Sequence, residues 1–351
     1  MWAWAKSWRG GIGWLLLAFA ALAAPAFANP RIVAVGDLHG DHAAFVAILR
    51  VARLIDERGH WTAGDAVFVQ TGDVTDRGPD SLRIIRDLMR LQRESQRAGG
   101  RVVALVGNHE AMNVTGDLRY IHPGEYAAFA HRDSRSRRDR FYEQNRPAIE
   151  AHYRNRDPAL TGGAIREAFE RDTPLGQIEH RAAWAPNGEI GRWIASNPAV
   201  ALIDGNLFAH GGVGEAYAHL SVDEINRRAA AALRANAQGQ EAIINDPNGP
   251  LWYRGLIRRD ADAEAPPAAT PRETPQLSME LELTRVLAAF GARRMIVGHT
   301  PNLAGIQFLH GRRLIAIDTG ISAYYRGPRT YLEIVDGEAT AHVVPGEGAA
   351  Q

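Results

Sequence analysis

The chain has 351 residues, 46% of them apolar, and balances 40 basic against 40 acidic side chains. That length fits one large domain or a domain with a subdomain, the apolar share excludes a disordered chain, and the neutral total argues against bulk nucleic-acid binding. Cysteine is absent, which excludes disulfides, thiolate zinc sites and cysteine nucleophiles.

In chain order, Lys6 and Arg9 precede an apolar run over residues 12–27 that ends in Ala26-Phe27-Ala28, before Asn29-Pro30. A basic start, a short apolar stretch and an A-x-A site predict a secretory signal peptide over residues 1–28, cleaved after Ala28. The protein is then periplasmic or secreted. The alternative is an uncleaved membrane anchor, because residues 11–28 nearly reach the ~20 that span a bilayer. Losing Lys6 and Arg9 takes the 40 basic residues to 38, against 40 acidic ones. No second long apolar run follows, so no stable membrane insertion is expected after cleavage.

The remaining residues, 29–351, read as alternating strands and helices. Residues 31–35 form a β-branched run ending in Gly-Asp, 41–53 have helical apolar spacing, 66–70 are a second strand ending in Gly-Asp, 81–92 a helix, and 101–106 a third strand ending in Gly-Asn-His-Glu. This alternation is that of a layered α/β domain, in which ligand groups gather beyond the carboxyl ends of the strands. Residues 118–197 differ: they are arginine-rich, with helical stretches and few strand signals. Arg132, Arg135, Arg137, Arg138 and Arg140 crowd around Asp133 and Asp139, as a solvated helix face or as a cap that helps admit an anion. Strand signals resume at 207–209, 295–297 and 314–317, with helices over 223–237 and 280–290. Residues 331–335 and 341–344 read as a hairpin about Asp336-Gly337, and residues 261–276, rich in Pro, Ala and acids, as a flexible surface loop.

The polar residues at these strand ends form a set. Asp37 and His39 stand in Gly36-Asp37-Leu38-His39-Gly40-Asp41. Asp73 stands in Gly72-Asp73-Val74-Thr75-Asp76-Arg77-Gly78, and Asn108 and His109 stand in Gly107-Asn108-His109-Glu110. His210 and His299 each close a strand beside glycine. Hard oxygens and imidazoles on rigid turns suit a pair of divalent cations ~3.5–4 Å apart, which offset the charge of a phosphoryl group and acidify a water. An isolated Gly-Asp after a strand is usually a turn; five such motifs in this order are not explained as turns.

The set resembles the calcineurin-like metallophosphoesterases, and Asp76-Arg77-Gly78 places the resemblance in the phosphoprotein phosphatase branch. It is closest to the Shewanella-like phosphatases. The stretch from Asn113 to Tyr120, the run Gly249-Pro250-Leu251-Trp252-Tyr253-Arg254, and Asp318-Thr319-Gly320 carry that part of the likeness, which covers roughly residues 31–335 and is weakest over 118–197. The resemblance implies a four-layer α/β/β/α sandwich of two mixed sheets with a helical insert at about 118–197. It implies that Asp37 and His39 bind a first metal, with Asp73 bridging, and that Asn108, His210 and His299 complete a second site. His109 would be the general acid that serves in-line attack by a metal-bridging hydroxide, with Asp76 orienting it. Arg77, with Arg254 as a second clamp, would bind the substrate phosphate. Asp41 and Glu110 read as hydrogen-bonding supports, and His42, His60, His122 and His310 lack the strand-end glycine context of a ligand. Pro301 stands where many non-phosphatase relatives carry a further histidine ligand, which again favours the phosphatase branch.

The implied cofactors are two divalent ions, Mn or an Fe/Zn pair. The implied substrates are phosphorylated protein, phosphotyrosine included, or a small phosphate ester. Two other readings stay open at this point: a dinucleoside polyphosphate or nucleotide hydrolase, and a binding module that has lost catalysis.

Overall fold

The computed structural model describes residues 29–259 and 277–345. The signal-peptide segment and the loop expected over 261–276 lie outside the described residues. Two five-stranded sheets form the centre. The first has the order β10-β9-β1-β2-β3, built from β1 (Ile32–Val35), β2 (Val67–Gln70), β3 (Arg101–Ala104), β9 (Thr330–Val335) and β10 (Glu338–Val343). In it β1, β2 and β3 are parallel, and β9 runs antiparallel to β1. The second has the order β4-β5-β6-β8-β7, built from β4 (Val200–Ile203), β5 (Asn206–Ala209), β6 (Arg294–Val297), β7 (Gln307–Leu309) and β8 (Leu314–Ala316). Here β5, β6 and β8 are parallel while β4 and β7 flank them antiparallel.

Alternation along each strand decides the layers. Ile32, Ala34, Val67 and Val69 of the first sheet meet Phe208, Ile296 and Ile315 of the second in one buried cluster. The intervening residues, Val33, Val35 and Phe68 on one side and Leu207, Met295 and Val297 on the other, face outward into the helices. Strands buried on both faces explain the nearly continuous apolar runs of the sequence. Helices α1 (His42–Val51) and α2 (Ser81–Arg97) belong to the crossovers of the first sheet, and α9 (Val222–Arg234) and α10 (Met279–Phe290) to those of the second. The α2 helix shows the pattern: Leu82, Ile84, Ile85, Leu88 and Leu91 are buried, a stripe at helical spacing with polar residues between. The layers are therefore α/β/β/α.

Between β3 and β4 the described chain is helical: α3 (Asn108–Thr115), α4 (Pro123–Phe129), α5 (Ser134–Arg156), α6 (Gly162–Asp172), α7 (Gln177–Trp184) and α8 (Glu189–Ile194). Several arginines of this region pair with its acids, among the crowded ones Arg132 with Asp133 and Arg138 with Glu170. Arg166 reaches Asp139 and Glu170, and Arg137 faces Glu179. Arg138 is buried and donates to the carbonyls of Glu170 and Thr173, fastening α5 to the end of α6. These pairs make the solvated-face reading the fitting one, with Arg138 as a structural exception.

The sequence reading has no strand at β4 or β7. β7, Gln-Phe-Leu, is short and half-buried; β4, Val-Ala-Leu-Ile, is as apolar as its neighbours, though Ala201 and Leu202 are not buried, and the sequence reading passes over it. One signal was available: Asp204 and Gly205, both at positive φ, make a two-residue hairpin turn between β4 and β5. The β9–β10 hairpin turns at Asp336-Gly337 in the same way, and its second strand starts earlier than the pattern predicts. No described helix is long and apolar enough to cross a membrane.

Candidate active site

Six parallel strands point their carboxyl ends at one place. The loops after β1, β2, β3, β5, β6 and β8 deliver Asp37 and His39; Asp73, Asp76 and Arg77; Asn108 and His109; His210; His299; and Asp318. All but Arg77 are buried. The turns that present them are tight: His39, Asp73, Asp76, Arg77 and His299 all take positive φ without being glycine. Such backbone costs roughly 1–3 kcal/mol per residue and persists where the surroundings over-determine it, typically at functional sites.

Asp73 stands at the centre. Its Oδ1 accepts the backbone N–H of His109 at 3.0 Å and lies 3.3 Å from His210 Nε2, while its Oδ2 lies 3.9 Å from His39 Nε2 and 3.8 Å from His109 Nε2. One carboxylate therefore serves two groups of donors. Ligand atoms of His39, Asp73 and His109 lie within 4.8 Å of one another, and so do those of Asp73, His210 and His299. Asn108 joins the second group, its Oδ1 2.9 Å from His210 Nε2. Asp37 belongs to neither triad: its carboxylate accepts the backbone N–H of His299 at 3.1 and 3.2 Å.

The donor chemistry fits cations. His39 Nδ1 donates to the carbonyl of Thr75 and His210 Nδ1 to that of Thr71, each at 2.9 Å. With Nδ1 committed in each ring, Nε2 is the nitrogen that both turn inward to the site. His210 Nε2 faces the oxygens of Asn108 and Asp73, and although burial opposes it, Asp73 raises the pKa of this ring, so positive charge is favoured there, supplied by a proton or by an ion in its place. His299 Nε2 is buried with no hydrogen-bond partner, which is costly unless something else binds it. Burial, with help from the charge of His109, holds His39 down to about 3, and burial also holds His299 far below its ordinary value. Both imidazoles are thus neutral and ready to ligate. Burial, then Asp318 and Asp73, pushes Asp37 well above the carboxylate range. Burial likewise pushes Asp318 up to about 6. Three acids packed this closely in the interior call for counter-charge.

Beside the triads lies the proton-handling pair. His109 Nδ1 donates to Asp76 Oδ2 at 2.6 Å, and Asn113 Nδ2 donates to Asp76 Oδ1 at 3.0 Å. Burial opposes charging of His109, but Asp73 and then Asp76 outweigh it and raise its pKa. Arg77 Nη2 is 3.4 Å from His109 Nε2. Arg254 arrives from the loop after α9 and donates to the carbonyl of His299 at 3.3 Å. Trp252, two residues earlier, stands edge-on to the His299 ring at 5.8 Å.

The supports are also in place. Glu110 accepts the backbone N–H groups of Asp73, Val74, Thr75 and Gly107, knitting two ligand loops together. Burial, then Asp73, pushes its pKa to about 7, although the His210 charge and the amides of Asp73 and Gly107 oppose that. Asp41 caps α1 through Oδ1. His42, His60, His122 and His310 bond to Asp87, Glu94, Gly124 N–H and the Leu256 carbonyl respectively, away from the site. The sequence reading names Asp318 only as part of a motif. Its signal, a carboxylate closing an apolar strand, was the same as that of Asp37 and Asp73.

Known proteins resemble this chain in sequence and fold. The calcineurin-like phosphoesterase family matches residues 30–316. An uncharacterized protein of Schizosaccharomyces pombe is 30% identical over 325 residues, covering 90% of this chain and 80% of its own. Shewanella-like protein phosphatase 2 of Arabidopsis thaliana is 31% identical over 303 residues, covering 83% of this chain and 71% of its own. A cold-active protein-tyrosine phosphatase of a psychrophilic Shewanella species superposes with a TM-score of 0.62 at 24% identity, over 90% of this chain and 81% of its own, and so shares the fold. With its strand-end His/Asp set, its Asp-Arg-Gly run and these relatives, the chain belongs to the calcineurin-like phosphoesterases, in the phosphoprotein phosphatase branch with the Shewanella-like phosphatases, and is a metal-dependent hydrolase of phosphate monoesters.

Proposed function

We propose that the chain is a dinuclear phosphoprotein phosphatase. The observation that carries this reading is the pair of buried triads that share Asp73. His39 and Asp73 of the first triad, joined by Asp37 from the neighbouring turn and not by His109, would hold one ion, and Asp73, Asn108, His210 and His299 the other. When bound, such a pair supplies an acidified water and neutralises phosphoryl charge. The chain's own residues do the rest. Arg77, beside His109, and Arg254, beside His299, hold phosphoryl oxygens with planar forks. His109 keeps its proton on the substrate side through Asp76 and passes it from Nε2 to the departing ester oxygen, which leaves as an alcohol or phenol. Nitrogen and carboxylate ligands suit Mn, Fe or Zn.

The test is phosphate release by the chain from Asn29 onward, loaded with Mn, on a phosphotyrosine peptide, a phosphothreonine peptide and diadenosine tetraphosphate, with Asp73→Ala as the blank. Preference for either peptide supports the reading. Preference for the dinucleotide replaces the substrate class but keeps the metal site, and no activity above the blank sinks the reading. Metal analysis of the purified protein should return about two ions per chain. We further propose export, on the basic, apolar and A-x-A pattern of residues 1–28. Fractionation that finds the expressed protein inside the cell would refute export, and an N-terminal sequence that begins at Met1 would refute cleavage after Ala28.

A further inference from the structure

Arg77 lies inside a collar of three tyrosines carried by two other loops. Its guanidinium carbon is 4.9 Å from the ring centre of Tyr325, 5.2 Å from that of Tyr120 and 5.4 Å from that of Tyr324. The rings also reach the catalytic side of the site: Tyr120 lies 5.1 Å from the His109 ring and Tyr325 5.7 Å from the His39 ring. Tyr324 stands edge-on to Tyr325 at 5.0 Å. Tyr120 is 42% exposed and Tyr324 64%, so both present ring surface to whatever enters.

The collar is held by specific bonds. Arg77 N–H donates to the Tyr120 carbonyl at 3.0 Å. The tyrosine loop is fastened to the turn that carries His39, because Ala323 N–H donates to Asp41 Oδ2 at 3.1 Å. Gly320, at φ +62°, leaves free the space that its Cβ would take from Leu303 and Tyr325. Asp318 Oδ1 accepts the Gly320 N–H at 2.9 Å, and the Thr319 hydroxyl donates to the Pro328 carbonyl at 2.8 Å. The Asp-Thr-Gly run thus shapes the loop that lays Tyr325 against Arg77.

Resting on the monoesterase reading above, we propose that Tyr120 and Tyr324, backed by Tyr325, set leaving-group selectivity and favour esters whose leaving group carries an aromatic ring over alkyl esters. Arg77 holds the phosphoryl group, and the departing oxygen must sit at His109 Nε2, 3.4 Å from Arg77 Nη2. A leaving group at that atom emerges between the collar rings. An aromatic ring there makes offset or edge-to-face contact with tyrosine, which strengthens binding roughly two- to ten-fold per pair. An alkyl side chain offers less area and no ring quadrupole.

The experiment compares wild type with Tyr120→Leu, Tyr324→Leu and Tyr324→Phe, as the Mn-loaded full chain. Two readouts are taken: kcat/KM on peptides of one sequence bearing phosphotyrosine or phosphothreonine, and calorimetric affinity for phenylphosphonate against methylphosphonate. Each leucine variant should lower the aryl-over-alkyl ratio roughly two- to ten-fold in both readouts, and Tyr324→Phe, which keeps the ring, should retain the wild-type ratio. Ratios that stay at the wild-type value in the leucine variants, with both substrates falling together, overturn the proposal, because the rings then only hold Arg77. A wild type that turns over neither peptide defeats the monoesterase reading. The collar is then judged on the phosphonates, where equal affinity for the two overturns it.

Discussion

His109 and Asp76 share a buried 2.6 Å hydrogen bond from imidazole Nδ1 to carboxylate Oδ2. With Nδ1 committed to Asp76, only Nε2 is left to face a substrate, and the carboxylate favours the charged ring. The pair is therefore built to give up a proton at one defined atom. His109→Ala should cost about 10²–10⁴ in kcat on phenyl phosphate and much less on 4-nitrophenyl phosphate, whose leaving group needs little protonation. Equal losses on the two esters would remove the acid role. Asp76→Asn should cost about 10–100-fold, because Asn113 still bonds the remaining oxygen.

Asp73 is the residue both triads share, so its loss should be felt at both. Asp73→Ala should lower metal content from about two ions per chain to one or none and reduce turnover at least ~10³-fold, a loss beyond that expected for His109→Ala on an activated ester. Phosphate release and metal analysis by mass spectrometry check this together. Chelation of the wild type should lower Tm by several degrees, with recovery on adding Mn, because ions that bind only the folded chain stabilise it by mass action.

Gly298 precedes His299, and a Cβ there would run into Asp37 Oδ1. The neighbouring contact is the carboxylate that accepts the His299 amide, so the added methyl acts on two site residues at once. Gly298→Ala should weaken Mn binding ten-fold or more, about 1.4 kcal/mol, and excess Mn should restore part of the activity. Unchanged affinity in a Mn titration would separate this glycine from the metal site.

Glu125 supplies a pH dependence away from the metals. It is 1% exposed, bonded to the Ser81 hydroxyl and amide, and burial, followed by Asp76 charge, pushes it from 4.5 to about 8. The folded chain keeps this proton at pH values where the unfolded chain has released it. The protonated group's contribution is present in full below about 4.5 and is lost as pH rises toward about 8. Glu125→Gln keeps an oxygen for Ser81 and cannot ionise. Its advantage over wild type should therefore be larger at pH 8 than at pH 5, by at least ~1 kcal/mol, in denaturant unfolding at the two pH values. Parallel stability profiles for the two proteins would count against it.

The sequence by itself determined the α/β alternation and nearly all of the site. Apolar period and strand-end glycines are local signals, and each of Asp37, His39, Asp73, Asn108, His109, His210 and His299 sits at the end of such a run. The expectation that Glu110 and Asp41 serve as hydrogen-bonding supports agrees with their bonds to backbone amides. What only the tertiary structure decided is which of these groups meet, and how. Asp37 and His299 are 262 residues apart, and their contact exists because β1 and β6 lie in two sheets packed face to face. The collar around Arg77 is of the same kind. Tyr120, Tyr324 and Tyr325 have no periodicity that marks them, and they converge only because the loops after β2, α3 and β8 share one rim. Residue spacing along a chain fixes the local period; proximity across it is fixed by how the sheets and their crossovers stack.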